Sequence, residues 1–166
     1  MTEDTEVKHV EVEVQPGEQV VVINPEKLQL WGRVLNGAGW FKTIGFFAVI
    51  NSLLVMSGMK IRFIFALGIT YLASIVAKVA DFGAGDEAAA LLFAGLGAAG
   101  AYFFARFAAR GFTWAFVAGM TLYALDGLIF VYCQDWLEVA CHGYALFAIY
   151  GGLSAAREYQ RRFPEG

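Results

Sequence analysis

The stretch TWAFVAGMTLYALDGLIFVYCQDWLEVACHGYALFAIYGGLSAA, residues 113–156, decides the fold. It holds two apolar runs, 113–132 and 137–156, each of the length a helix needs to cross a bilayer, about 20 mostly apolar residues. The link Cys133-Gln134-Asp135 is short enough to force a reversal, so the two runs are read as antiparallel neighbours. Inside this apolar hairpin stand Asp126, six residues before Tyr132, and His142, six residues after Trp136.

Working outward, three more windows qualify as spans, roughly 40–58, 62–80 and 88–107, which makes five predicted transmembrane helices. Composition agrees. Of 166 residues 58% are hydrophobic and 16% charged, and the mean hydropathy is +0.56. A soluble domain commits roughly a quarter of its residues to charge. The charges here cluster before residue 43 and after residue 155, leaving an interior suited to lipid and no room for a large soluble domain. The third window carries Gly95, Gly97 and Gly100 among alanines, a surface that lets membrane helices approach closely within or between subunits.

Toward the N-terminus the pattern changes. Val10, Val12 and Val14, then Val20 to Ile23, alternate with or follow polar groups around Pro16-Gly17, the signature of a small β-hairpin over 1–24. A lone hairpin is marginal in water, so hairpins of several subunits meeting in one sheet would be steadier, a pointer to oligomerisation. Asn24-Pro25 reads as a helix start, with Leu28, Trp31 and Leu35 on one face. That segment, 25–37, is read as an amphipathic helix in the membrane interface, with Gly37 and Gly39 turning the chain into the first span. The expected fold is an all-α integral membrane protein: the hairpin tail, the interfacial helix, a five-helix bundle over 38–158 and a tail at 159–166. The acidic start Met1-Thr2-Glu3-Asp4 is not a signal peptide, so the first span is expected to insert as a mature helix.

Counting Lys and Arg near span ends sets the orientation. Lys60, Arg62, Arg106, Arg110, Arg157, Arg161 and Arg162 fall on one side; Lys27, Arg33, Lys42 and Lys78 fall on the other. The bias puts the C-terminus in the cytoplasm and the N-terminal tail outside.

The clusters Asn36-Gly37-Ala38 with Trp40-Phe41, Ile50-Asn51-Ser52 and Phe65-Ala66-Leu67-Gly68-Ile69-Thr70 resemble a family of small uncharacterised bacterial polytopic membrane proteins. So do Leu122-Tyr123-Ala124-Leu125-Asp126-Gly127-Leu128-Ile129-Phe130, Asp135-Trp136-Leu137, His142 and Gly151. The resemblance covers roughly 33 to 157 and omits the valine-rich tail. It implies a bacterial inner-membrane protein and carries no activity with it.

Asp126 is the most informative residue, because a carboxylate deep in a span costs about 2.5–3.5 kcal/mol on insertion scales. The hairpin places His142 at similar depth. Glu138 shares the face of His142, and Tyr123 shares that of Asp126. Two readings follow. The first is a hydrogen-bonded clamp between the last two helices, with Asp126 accepting from His142 or Tyr123. The second is a proton or ion site using the same pair, since histidine titrates near neutrality. Asn51, Ser52, Thr70 and Ser74 read as interhelical hydrogen-bonding groups, and Lys42 and Lys78 as snorkelling cations. Arg106 and Arg110 are expected at lipid headgroups on the cytoplasmic face.

Enzyme readings do poorly. Two histidines, one of them His9 in the tail, do not make a histidine-built metal site. Ser154 after Gly151-Gly152-Leu153 superficially resembles an intramembrane serine protease. His142, however, lies about three turns, roughly 18 Å, away along the same helix. Cys141 and His142 are adjacent and point different ways. Gly83-Ala84-Gly85 lacks the lysine of a phosphate loop. A net charge of −3 and a pI near 5.3 supply no basic stripe for nucleic acid. Cys133 and Cys141 cannot form a disulfide framework. The expectation is a non-enzymatic component without cofactor, partnered by the lipid bilayer and by copies of itself or a larger membrane complex. A small proton-linked transporter or channel is the alternative.

Overall fold

The computed structural model describes residues 24–57, 67–68 and 85–164. Among these stand four helices: α1 Pro25–Met56, α2 Gly85–Ala108, α3 Thr113–Tyr132 and α4 Trp136–Arg162. All four are long and apolar enough to cross a membrane. Their outward faces carry large exposed apolar side chains, among them Leu92, Leu96, Leu125, Leu128, Leu137 and Phe147. A soluble monomer tolerates only small exposed apolar patches, whereas lipid accepts such a surface throughout. The described residues form an all-helical, membrane-embedded multi-pass bundle.

Helix α1 begins where the sequence predicts. Asn24 Oδ1 accepts the backbone N–H of Glu26 at 3.0 Å and of Lys27 at 3.3 Å, and Pro25 follows as the first helical residue. The predicted break at Gly37 and Gly39 is corrected, because the helix runs unbroken from Pro25 to Met56. Leu30, Val34, Ala38, Phe41 and Ile44 form one buried stripe along it, so the segment read as interfacial belongs to the bundle core. Gly37 serves contact rather than turning. A Cβ built there would meet the backbone of Gly152 at 2.5 Å, so α1 and α4 touch main chain to main chain.

The helices form a closed ring, α1 against α2 and α4, and α3 against α2 and α4. Trp31 packs on Tyr159 at 5.1 Å between ring centroids, and Glu26 pairs with Arg162, so α1 and α4 are antiparallel. Phe41 packs on Phe104, and Gly45 abuts Ala98 and Ala101, so α1 and α2 are antiparallel as well. This corrects the five-span layout. A single crossing between α1 and α2 would have made them parallel. The window 62–80 lies outside the described residues apart from Leu67 and Gly68, and the hairpin tail lies wholly outside them. The start of α1 and the end of α4 share one end of the bundle with the α2–α3 turn, where Gln160 donates to the Gly111 carbonyl at 2.9 Å. The expectation that these ends lie on opposite sides is corrected accordingly.

The other three windows match closely: 88–107, 113–132 and 137–156 correspond to α2, α3 and α4, the last extended to Arg162. Gly111, at φ +83°, turns α2 into α3 in a backbone region that favours glycine. At the α3–α4 turn Gln134 holds a positive φ, and Asp135 caps α4 by accepting from the Glu138 N–H at 3.4 Å.

Candidate functional site

The α3–α4 hairpin brings Asp126 and His142 together, about 9 Å below the end of α3. His142 Nε2 lies 3.3 Å from Asp126 Oδ2, and both side chains are more than nine-tenths buried. The Glu138 carbonyl, one turn back on α4, lies 3.0 Å from His142 Nδ1. A carbonyl only accepts, so Nδ1 carries a hydrogen and Nε2 faces the carboxyl group. The short contact between Nε2 and Oδ2 then needs one proton between them. Whichever atom holds it, the pair is net neutral, which makes its burial tolerable.

A third segment closes the site. The Gly68 N–H donates to Asp126 Oδ2 at 2.7 Å. A Cβ at Gly68 would meet the Asp126 carbonyl and the Phe130 ring at 3.0 Å, so the approach depends on a residue without a side chain. Gly127 does the same for the imidazole, since a Cβ there would meet His142 Cδ2 at 3.2 Å. The His142 ring stacks on Tyr123 at 4.3 Å and 13°, and Phe130 packs against it at 5.1 Å, tilted by 48°.

The four residues read from the sequence thus meet in one place, with different parts. Asp126 and His142 pair directly. Glu138 is buried and contributes its carbonyl to the imidazole. Tyr123 contributes its ring face, while its hydroxyl is buried with no hydrogen-bond partner among the described residues. Sequence reading missed Gly68, which has no side chain to signal a role and lies 58 positions from Asp126.

The other polar residues take quieter places. Asn51 and Ser52 are buried on α1, and Ser52 Oγ donates to the Ala48 carbonyl at 3.1 Å within its own helix. Lys42 is exposed on α1; Thr70, Ser74 and Lys78 lie outside the described residues. Arg106 and Arg110 are exposed toward the α2–α3 turn, with the Arg110 guanidinium 5.7 Å from the Phe107 ring. Among the described residues no three His, Cys, Asp or Glu side chains gather around a possible metal position.

Beside the polar pair, between α2 and α3, lies a cavity of about 490 Å³. Its lining is apolar except at Tyr123 and Asp126. Comparison with family models, curated proteins and solved structures finds no match to this chain.

Proposed function

We propose that the protein is a non-enzymatic component of a bacterial inner membrane, a helical bundle that packs with copies of itself or with a larger membrane complex. In this reading Asp126 and His142 are its structural clamp. One observation carries the reading: Asp126 Oδ2 is engaged from α4 and from Gly68 at once, which joins three segments through a single oxygen. A group held this way favours one arrangement of the bundle. The interhelical bond itself contributes about 0.6–1.7 kcal/mol in a membrane setting.

The test is a double-mutant cycle on unfolding in detergent. Asp126→Asn and His142→Ala should each destabilise, and together they should fall short of the sum by about 1 kcal/mol. Independent effects would remove the clamp. Native mass spectrometry of gently extracted protein should give a defined oligomer or a larger complex; a lone monomer would remove the assembling role.

A second reading is favoured by one observation, that Asp126 lines the α2–α3 cavity as well as touching His142. An acid–imidazole pair beside a cavity is the core of a proton-linked carrier or channel. Vesicles reconstituted with the protein would then show a proton flux that Asp126→Asn abolishes.

The bundle end shared by the start of α1 and the end of α4 is read as cytoplasmic. Lys27, Arg33, Arg106, Arg110, Arg157, Arg161 and Arg162 gather there, the distribution the positive-inside rule describes.

A further inference from the structure

The cavity between α2 and α3 opens on lipid and has an acid in its wall. Gly119, Leu122, Asp126 and Ile129 line it from α3, a stripe at helical spacing with Asp126 within it. On the α2 side a Cβ added at Gly100 would meet nothing within 4 Å, so that wall stands open. Leu96, Leu122 and Leu125 line the cavity and are more than half exposed, so its mouth faces the hydrocarbon of the bilayer. A volume near 490 Å³ falls in the range of ligand sites.

Two features select the charge of an occupant. The Asp126 side chain keeps 9% of its surface exposed, in a wall that is otherwise apolar apart from Tyr123. Phe41 and Phe104, 6.1 Å apart between ring centroids, line the same cavity, and aromatic rings attract a cation close to their faces. An anion would be repelled by the acid, and a neutral molecule would gain burial alone. An apolar cation gains from both.

The Asp126–His142 contact holds one proton and is net neutral. Losing that proton leaves a carboxylate in a hydrocarbon-facing wall, which is unfavourable unless another positive charge replaces it. We propose that the α2–α3 cavity binds a hydrophobic organic cation in exchange for the proton shared by Asp126 and His142. The proton leaves to water, the cation settles beside the carboxylate, and the net charge of the site stays at zero. The Gly68 N–H, 2.7 Å from Oδ2, stays on the carboxylate throughout. This exchange rests on the carrier reading above, to which it adds the class of substrate. The titratable groups about Asp126 are His142 and Glu138 from α4 and Tyr123 on α3 itself; the α1 and α2 residues lining the cavity carry none.

The experiment titrates tetraphenylphosphonium into the purified full chain in weakly buffered detergent, with the equally sized anion tetraphenylborate for comparison. One cation per chain is expected, with about one proton released for each and an apparent affinity that rises with pH. Tetraphenylborate should bind about ten-fold more weakly or worse. Asp126→Asn keeps the shape without the charge, and should abolish proton release and weaken cation binding about ten-fold. Gly100→Leu should fill the cavity and abolish binding, while Gly95→Leu, at an exposed position outside the cavity, should bind as the wild type does. If a variant fails to fold, the wild-type contrast between the two ions and the proton count decide. No cation binding, equal binding of tetraphenylborate, binding without proton release, or release that persists in Asp126→Asn would each overturn the proposal. A vesicle proton flux that needs Asp126, found without cation binding, would sink the exchange and leave the carrier reading. Coupled binding and release without flux would uphold the exchange and remove the carrier.

Discussion

Tyr123 and His142 show how residues of similar polarity reach opposite outcomes in one site. The imidazole has both nitrogens engaged, by the Glu138 carbonyl and by Asp126, and packs against the Tyr123 and Phe130 rings. The phenol is stacked on it, yet its oxygen meets no hydrogen-bond partner among the described residues. Leaving a buried hydroxyl unsatisfied costs about 1–3 kcal/mol, so Tyr123→Phe should stabilise the protein by about 1 kcal/mol. Thermal unfolding of delipidated protein in detergent measures this; a loss of stability would mean the hydroxyl has a partner within the bundle. Replacing Gly68 by Val should do the reverse. Its side chain would push into the Asp126 carbonyl and Phe130 at 3.0 Å, and the N–H to Oδ2 bond would open. A destabilisation of about 2 kcal/mol is expected in the same assay.

At the scale of elements, glycines sort into contact makers and open positions. Gly37 and Gly152 bring α1 and α4 into backbone contact, and Gly119 makes room for the Phe41 ring. Gly95 and Gly100, which sequence reading marked for close approach, meet nothing within 4 Å and leave surface and cavity instead. Gly37→Leu should therefore destabilise by about 3 kcal/mol, since main chain and not a flexible side chain stands in its way. Gly95→Ala should be neutral or stabilising by up to about 1 kcal/mol through helix propensity. Urea- or detergent-induced unfolding followed by helical circular dichroism separates the two; equal effects would contradict the α1–α4 contact.

For the whole molecule the sharpest consequence is the shared end of α1 and α4. Cys133, exposed at the opposite end in the α3–α4 turn, supplies a built-in marker. A membrane-impermeant thiol reagent applied to intact cells should label Cys133. In a Cys133→Ser background it should miss both Lys27→Cys and Arg161→Cys until the cytoplasmic face is opened. Labelling of Lys27→Cys alone from outside would restore an odd number of crossings and contradict the antiparallel packing of α1 and α4.

Hydropathy, turn length and the Asn24-Pro25 start signal by themselves determined the membrane class, the bounds of α2 and α3, the start of α4, the Asn24 cap and the meeting of Asp126 with His142. These are local properties: a run's length against the bilayer, a three-residue reversal, a depth counted from a turn. Only the tertiary structure decided that α1 is one helix, that it runs antiparallel to both neighbours, that Gly68 reaches Asp126, and that a cavity opens beside Tyr123. Each of these depends on atoms far apart in the chain, and glycine, the residue that permits most of them, has no side chain by which a sequence could announce the partner it will meet.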